Sequence, residues 1–170
     1  MLLRALPALA VIFSFLGSEP THAACTDAAA PGVDWRRCVL DNRDLQGIGI
    51  SGAQLRDASF VRADLSGSDL SGIDGFRAKF MSAKLANARF DGARLSEADL
   101  TKADLTGASF KGADLRRARL FRAILRGADL TDARMKGADL FEADLSGAIW
   151  IDGQKLCAEE IGRASCRERV

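Results

Sequence analysis

The chain has 170 residues, with 24 Lys and Arg against 23 Asp and Glu, a formal net charge of +1, one histidine and no tyrosine. That balance excludes a surface dominated by one sign of charge. The single histidine, His22, falls within an export-type leader, so the rest of the chain has no imidazole for neutral-pH general base catalysis or for most zinc and iron sites; no catalytic residue, metal ligand or cofactor is expected.

The chain begins MLLRALPALAVIFSFLGSEPTHAAC, with one basic residue at Arg4, an apolar run of 12 residues from Ala5 to Leu16, and small residues before Cys25. This is the layout of a secretory signal, and the run falls well short of the roughly 20 residues a membrane-spanning helix needs. Residues 1–24 are therefore expected to be a signal peptide cleaved after Ala23 or Ala24, and the mature protein to be exported, periplasmic or secreted. Lipid attachment at Cys25 is the alternative, disfavoured because His22 stands where a lipoprotein signal usually has leucine.

Four cysteines in an exported chain read as disulfides. Cys25 and Cys38 are expected to close a lead-in over residues 25–39. Cys157 invites a second bridge, for which Cys166 is the remaining partner.

From Leu45 to Trp150 a large apolar residue recurs at every fifth position, and 21 of the 22 centres are Leu, Ile, Phe, Met or Trp. Gly75 is the exception. Two residues before the centre stands alanine in 18 of the 22 cases, the others being Arg43, Ile48, Ser68 and Ile73. A fixed short period marks a solenoid, whose units bury their apolar faces only by stacking. The alanines act as a volume constraint beside the large centres. Glycines two after the centre, such as Gly67, Gly107 and Gly147, fall where the chain turns and where a positive φ costs least. Gly75 followed by Phe76 is expected to mark a local bulge or flattened corner.

Segments such as ADLSG at 63–67, ADLTG at 103–107 and ADLSG at 143–147 resemble the pentapeptide-repeat family over residues 40–150. That resemblance implies an all-β fold, a right-handed quadrilateral parallel β-helix with one pentapeptide per side and four per coil. The 23 centres from Leu40 to Trp150 then make five to six coils, a rod roughly 25 Å long at a strand spacing of about 4.8 Å. Residues 151–159 are expected to be what remains of a C-terminal cap. Residues 160–170, EIGRASCRERV with its preceding glutamate as first letter, resemble a translated sequencing adapter and are expected to be non-native, a charged natural tail being the alternative.

Residues one before each centre point outward, and residues 20 apart should lie above one another. One such column is Gln54, Asp74, Arg94, Asp114 and Arg134; another is Ser59, Lys79, Asp99, Arg119 and Asp139. Both alternate in sign over most of their length, as expected of charge ladders that hold register. Over residues 40–150 there are 17 basic and 16 acidic side chains, which argues against the DNA mimicry of strongly acidic family members, since imitation of a phosphate backbone needs sustained negative charge.

Two candidate contact surfaces remain. Arg116, Arg117, Arg122 and Arg126 form, with Lys111 and Arg119, a basic cluster in the sequence that is suited to an anionic partner. Phe121 and Phe141, 20 residues apart, should stack on an outer face, and Phe76 is a third aromatic expected at the surface. The expected function is that of a non-enzymatic interaction or structural module of the cell envelope, facing a protein, glycan or membrane surface and not nucleic acid. An oligomeric spacer joined end to end and an unrecognised hydrolase are the alternatives.

Overall fold

The computed structural model describes residues 25–153. The expectations for the signal peptide (1–24), for Cys157 and its bridge, for most of the cap (151–159) and for the tail (160–170) lie outside the described residues.

The chain winds into a right-handed quadrilateral parallel β-helix. Twenty parallel bridges, from Asp34↔Gln54 to Asp129↔Ile149, each join residues 20 apart. Six coils follow one another over residues 31–50, 51–70, 71–90, 91–110, 111–130 and 131–150. The four sides of a coil are called faces 1 to 4, and in the first coil they are centred on Trp35, Leu40, Leu45 and Ile50. The ladder therefore starts at Asp34, one side earlier than the boundary at residue 40, and what the sequence presents as lead-in already contains the first side. Trp35 and Trp150 occupy the first and last centres and are both buried.

Backbone accounting explains the pentapeptide. Around Leu65, the centre N–H donates to Lys84 O in the next coil at 2.8 Å, the corner N–H of Gly67 donates to Ala86 O at 2.8 Å, and the outward Lys84 N–H returns to Ala63 O at 2.9 Å. The small-position N–H of Ala63 closes a turn onto Phe60 O at 3.1 Å. Four of the five amides are thus satisfied by carbonyls. The fifth, one residue past the centre, has no backbone acceptor and is left to a side chain or to solvent.

Inside, large and small residues form separate columns. Phe60 stacks on Phe80 with centroids 5.1 Å apart and planes 6° apart, Phe90 stacks on Phe110 at 5.0 Å and 2°, and Phe80 meets Phe90 edge-on. The alanines from Ala53 to Ala128 in the small columns are buried with them. Each buried Leu or Phe contributes about 1.5–3 kcal/mol relative to exposure. Ser68 is the buried polar member of the small set, and its hydroxyl is satisfied by donating to Leu45 O at 2.9 Å.

Every corner from Gly32 to Gly147, two residues after each centre, has a positive φ. Thirteen of these residues are not glycine, among them Arg37, Glu97, Lys102 and Arg117. Positive φ is thus imposed by the coil rather than chosen by glycine. Glycines dominate two edges (Gly47, Gly67, Gly107, Gly127 and Gly147 on one), whereas the edge after face 1 carries Arg37, Asp57, Arg77, Glu97 and Arg117.

No bulge occurs at Gly75. Asp74 bridges both Gln54 and Arg94 in the regular register, and Gly75 N–H donates to Arg94 O at 2.8 Å. The missing centre side chain is compensated from within, because a Cβ on Gly75 would lie 3.5 Å from Ile73 Cδ1 and 2.9 Å from Leu95 Cδ2.

The Cys25–Cys38 disulfide is present, with Cα atoms 5.4 Å apart. Cys38 replaces alanine at a small inward position of the first coil and is buried. The bridge engages the Cys25 sulfur, so the same atom is not available for a lipid.

Candidate interaction surface

The outer surface is built on the unsatisfied fifth amide. All eleven outward aspartates from Asp34 to Asp144 accept the N–H two residues on, as in Asp64 Oδ1 with Ser66 N at 3.1 Å, Asp99 with Thr101 at 3.0 Å and Asp139 with Phe141 at 3.0 Å. Where the residue two past the aspartate is Ser66, Ser71, Thr106, Thr131 or Ser146, its hydroxyl adds a second bond to the same oxygen, at 2.7 Å for Ser66 and 2.6 Å for Thr131; the Thr101 hydroxyl makes no such bond. Where serine replaces the outward aspartate, help comes from the coil above: Asp41 Oδ1 takes Val61 N–H at 2.9 Å and the Ser59 hydroxyl at 2.6 Å. Asp91 does the same for Lys111 N–H and the Ser109 hydroxyl. The aspartate of ADLSG is thus first a backbone acceptor. These bonds hold the carboxyls of Asp64, Asp69 and Asp144 below their usual range, led in each case by the neighbouring serine hydroxyl. The Arg116 side chain takes Asp114 down to about 2.

This duty changes the charge ladders. The columns stack as the sequence predicts, but one oxygen of each outward aspartate is committed to the amide two residues on, which leaves the other to a single cation. Arg119–Asp99 at 3.4 Å and Lys84–Asp64 at 3.1 Å are pairs made within a column. Most other acids pair with a cation one residue past a centre, as in Arg56–Asp74 at 3.3 Å, Arg116–Asp114 at 2.6 Å and Arg126–Asp144 at 2.6 Å. Vertical alternation therefore overstates the pairing of cations that stand in the columns.

The basic cluster of the sequence is dispersed by the fold. Arg116 and Arg117 follow face 1, Arg122 lies on the edge after face 2 and Arg126 on the edge after face 3, so the run winds round one coil and does not form a single face. Each member is also paired: Arg117 with Glu97 at 3.6 Å, Arg122 with Glu142 at 2.5 Å, Lys111 with Asp129 at 3.1 Å, and Arg116, Arg119 and Arg126 as above.

Phe121 and Phe141 do stack, with centroids 6.0 Å apart and planes 2° apart. Arg122 covers the Phe121 ring at 4.9 Å, and Phe141 is 48 % exposed. Phe76 is half-buried, with the guanidiniums of Arg56 and Arg77 over its ring at 4.8 and 5.1 Å.

What the linear reading missed is a groove of about 940 Å³ on face 1. It runs from Arg56 in the second coil to Lys136 and Gly137 in the sixth. Its signal lay in the column one past the centre, Arg56, Phe76, Ser96, Arg116 and Lys136, in which Ser96 is the short member.

Comparison with known proteins gives a consistent picture. Residues 36–72, 78–117 and 108–147 match the family model for pentapeptide repeats, with eight copies. No curated protein matches the chain. Among solved structures, the chain is similar to HetL of the cyanobacterium Nostoc sp. strain PCC 7120, a pentapeptide repeat protein involved in heterocyst differentiation regulation. The two are 32 % identical, with 73 % of this chain and 68 % of that one covered and a TM-score of 0.51. A second pentapeptide repeat protein of Nostoc PCC 7120, alr5209, is 28 % identical over 62 % of this chain and 83 % of that one, with a TM-score of 0.47.

Proposed function

Because the chain belongs to the pentapeptide-repeat family, whose members are generally structural or protein-interaction modules, we propose that it is a non-enzymatic interaction module of the cell envelope. The observation that carries this reading is the unbroken 20-residue register from Asp34 to Ile149. Inward positions are spent on the core and no insertion interrupts the sides, so recognition falls to outward and corner side chains on a rigid frame. Preorganisation of that kind lowers the ordering cost of binding.

Export is supported by the leader and by the Cys25–Cys38 disulfide, since such bridges persist in oxidising compartments. Fractionation of cells producing the untagged protein, with thiol trapping of each fraction, tests the location: the reading requires oxidised protein in the envelope or medium, and reduced protein in the cytoplasm would refute it. For the activity, the oxidised mature protein is used to capture partners from envelope extract beside a version heated and reduced. A partner retained by the folded form alone supports the reading, and identical captures by both forms would end it.

A further inference from the structure

The face 1 groove has a charge balance that its column sequence conceals. In the outward column Asp74, Arg94, Asp114 and Arg134, alternation suggests that each arginine is neutralised by a neighbouring aspartate. Instead Asp114 gives Oδ1 to the Arg116 amide and Nε, at 3.2 and 2.8 Å, and Oδ2 to Arg116 Nη2 at 2.6 Å. Asp74 accepts the Phe76 amide at 3.4 Å and turns Oδ2 to Arg56. Among the described residues, no ion pair is left to the exposed Arg94, Arg134 or Lys136. Glu97, the other acid of the lower groove, is shared between Arg77 at 3.0 Å and Arg117 at 3.6 Å.

The groove therefore presents Arg56, Arg94, Arg116, Arg117, Arg134 and Lys136 against three carboxylates, Asp74, Glu97 and Asp114, each already committed to a cation. Its depth comes from Ser96, a short side chain between Phe76 and Arg116 in the same column. Gly92 and Gly112 leave the opposite edge without side chains.

We propose that this groove docks an acidic, extended segment of a partner protein, a deepening that rests on the interaction-module reading above. Charge complementarity selects the occupant: arginines with unused N–H groups bind carboxylates in a planar, bidentate way. From Arg56 in the second coil to Lys136 in the sixth the groove spans four coil intervals, about 19 Å at strand spacing, which matches about six residues of extended chain. Stacking of a neutral sugar ring is disfavoured, because the Phe76 ring is occupied by Arg56 and Arg77.

The test uses the oxidised mature protein and a fluorescein-labelled hexaglutamate peptide, followed by fluorescence anisotropy at low and at physiological salt. The variant Arg94→Gln/Arg134→Gln/Lys136→Gln should weaken binding by at least about tenfold, and the control Arg119→Gln/Arg122→Gln/Arg126→Gln, which removes the same charge elsewhere, by less than about twofold. Circular dichroism of both variants verifies that the coils persist. Equal losses in the two variants, or no binding by the native protein, would overturn the groove assignment. So would polygalacturonate or anionic phospholipid vesicles that bind more tightly than the peptide with the same dependence on the three groove cations, since the occupant would then be a glycan or a membrane. Envelope partners captured equally by the native protein and the groove variant would sink the groove and leave the interaction-module reading standing, whereas failure of capture by any folded form would sink the broader reading.

Discussion

The Cδ1 atom of Ile73 lies 3.5 Å from the point where a side chain on Gly75 would begin. Two departures from the repeat, an over-large residue at a small position and an absent one at a centre, thus cancel on one side of the third coil. Ile73 is fully buried and the register passes through unaltered.

This exchange predicts strong coupling. Ile73→Ala alone should leave a cavity and cost about 2–5 kcal/mol. Gly75→Leu alone should overpack against Ile73 and Leu95, at a cost of about 1–3 kcal/mol. The double variant restores the consensus on that side and should be much less destabilised than the two losses combined. Urea unfolding of the four proteins measures the cycle, and simple additivity would show that the volumes do not compensate.

The corner aspartates predict acid sensitivity with a defined sign. The carboxyls of Asp69 and Asp114 are held low, by the Ser71 hydroxyl and the Arg116 side chain respectively, with Asp114 at about 2. A folded-state value below the unfolded value of about 3.9 means that this stability is complete above that pH and is lost as pH falls through the folded value. Unfolding free energy should therefore be nearly flat from neutrality to about pH 5 and decline between about pH 4 and 2. Ser71→Ala should cost about 1 kcal/mol at pH 7, with the difference narrowing in acid. A gap that widens toward pH 2 would contradict the assignment.

Corner conformation can be separated from corner packing. Nothing lies within 4 Å of a Cβ placed on Gly67, yet its φ is +67°. Gly67→Val should therefore cost about 1–3 kcal/mol through backbone strain alone. Lys102, at φ 57°, pays that strain already, so Lys102→Gly should be neutral or stabilising by up to about 1 kcal/mol, relief of strain being offset by greater freedom of the unfolded chain. Thermal melts of both variants measure these shifts, and a neutral Gly67→Val would refute the strain argument.

The disulfide joins residues 13 apart and anchors the start of the ladder. Its reduction should cost about 3 kcal/mol on loop-closure grounds. The effect should be concentrated in the first coil, where the Leu40 amide bonds Ser59 O, and weak in the fifth. Hydrogen exchange with and without reductant resolves the two. Uniform deprotection along the rod would instead mean that the coils unfold as one cooperative unit.

The centre and alanine series, running in fives from Leu45, determined the fold, the inward columns and the pairing of residues 20 apart. They could do so because a coil of four equal sides allows one arrangement of large and small residues, and that arrangement repeats without slip. The stacked Phe121 and Phe141 follow from the same arithmetic. The destinations of polar side chains were decided only by the tertiary structure. Column order suggests that Arg94 faces an aspartate above and below it, but Asp74 and Asp114 each serve the amide one past their centre and give the remaining oxygen to Arg56 and Arg116. The consecutive Arg116 to Arg126 run disperses for a related reason, since five residues carry the chain round a corner and neighbours in sequence become neighbours on different faces. Sequence spacing therefore specified the frame, and competition for hydrogen bonds in three dimensions decided which charges it leaves open.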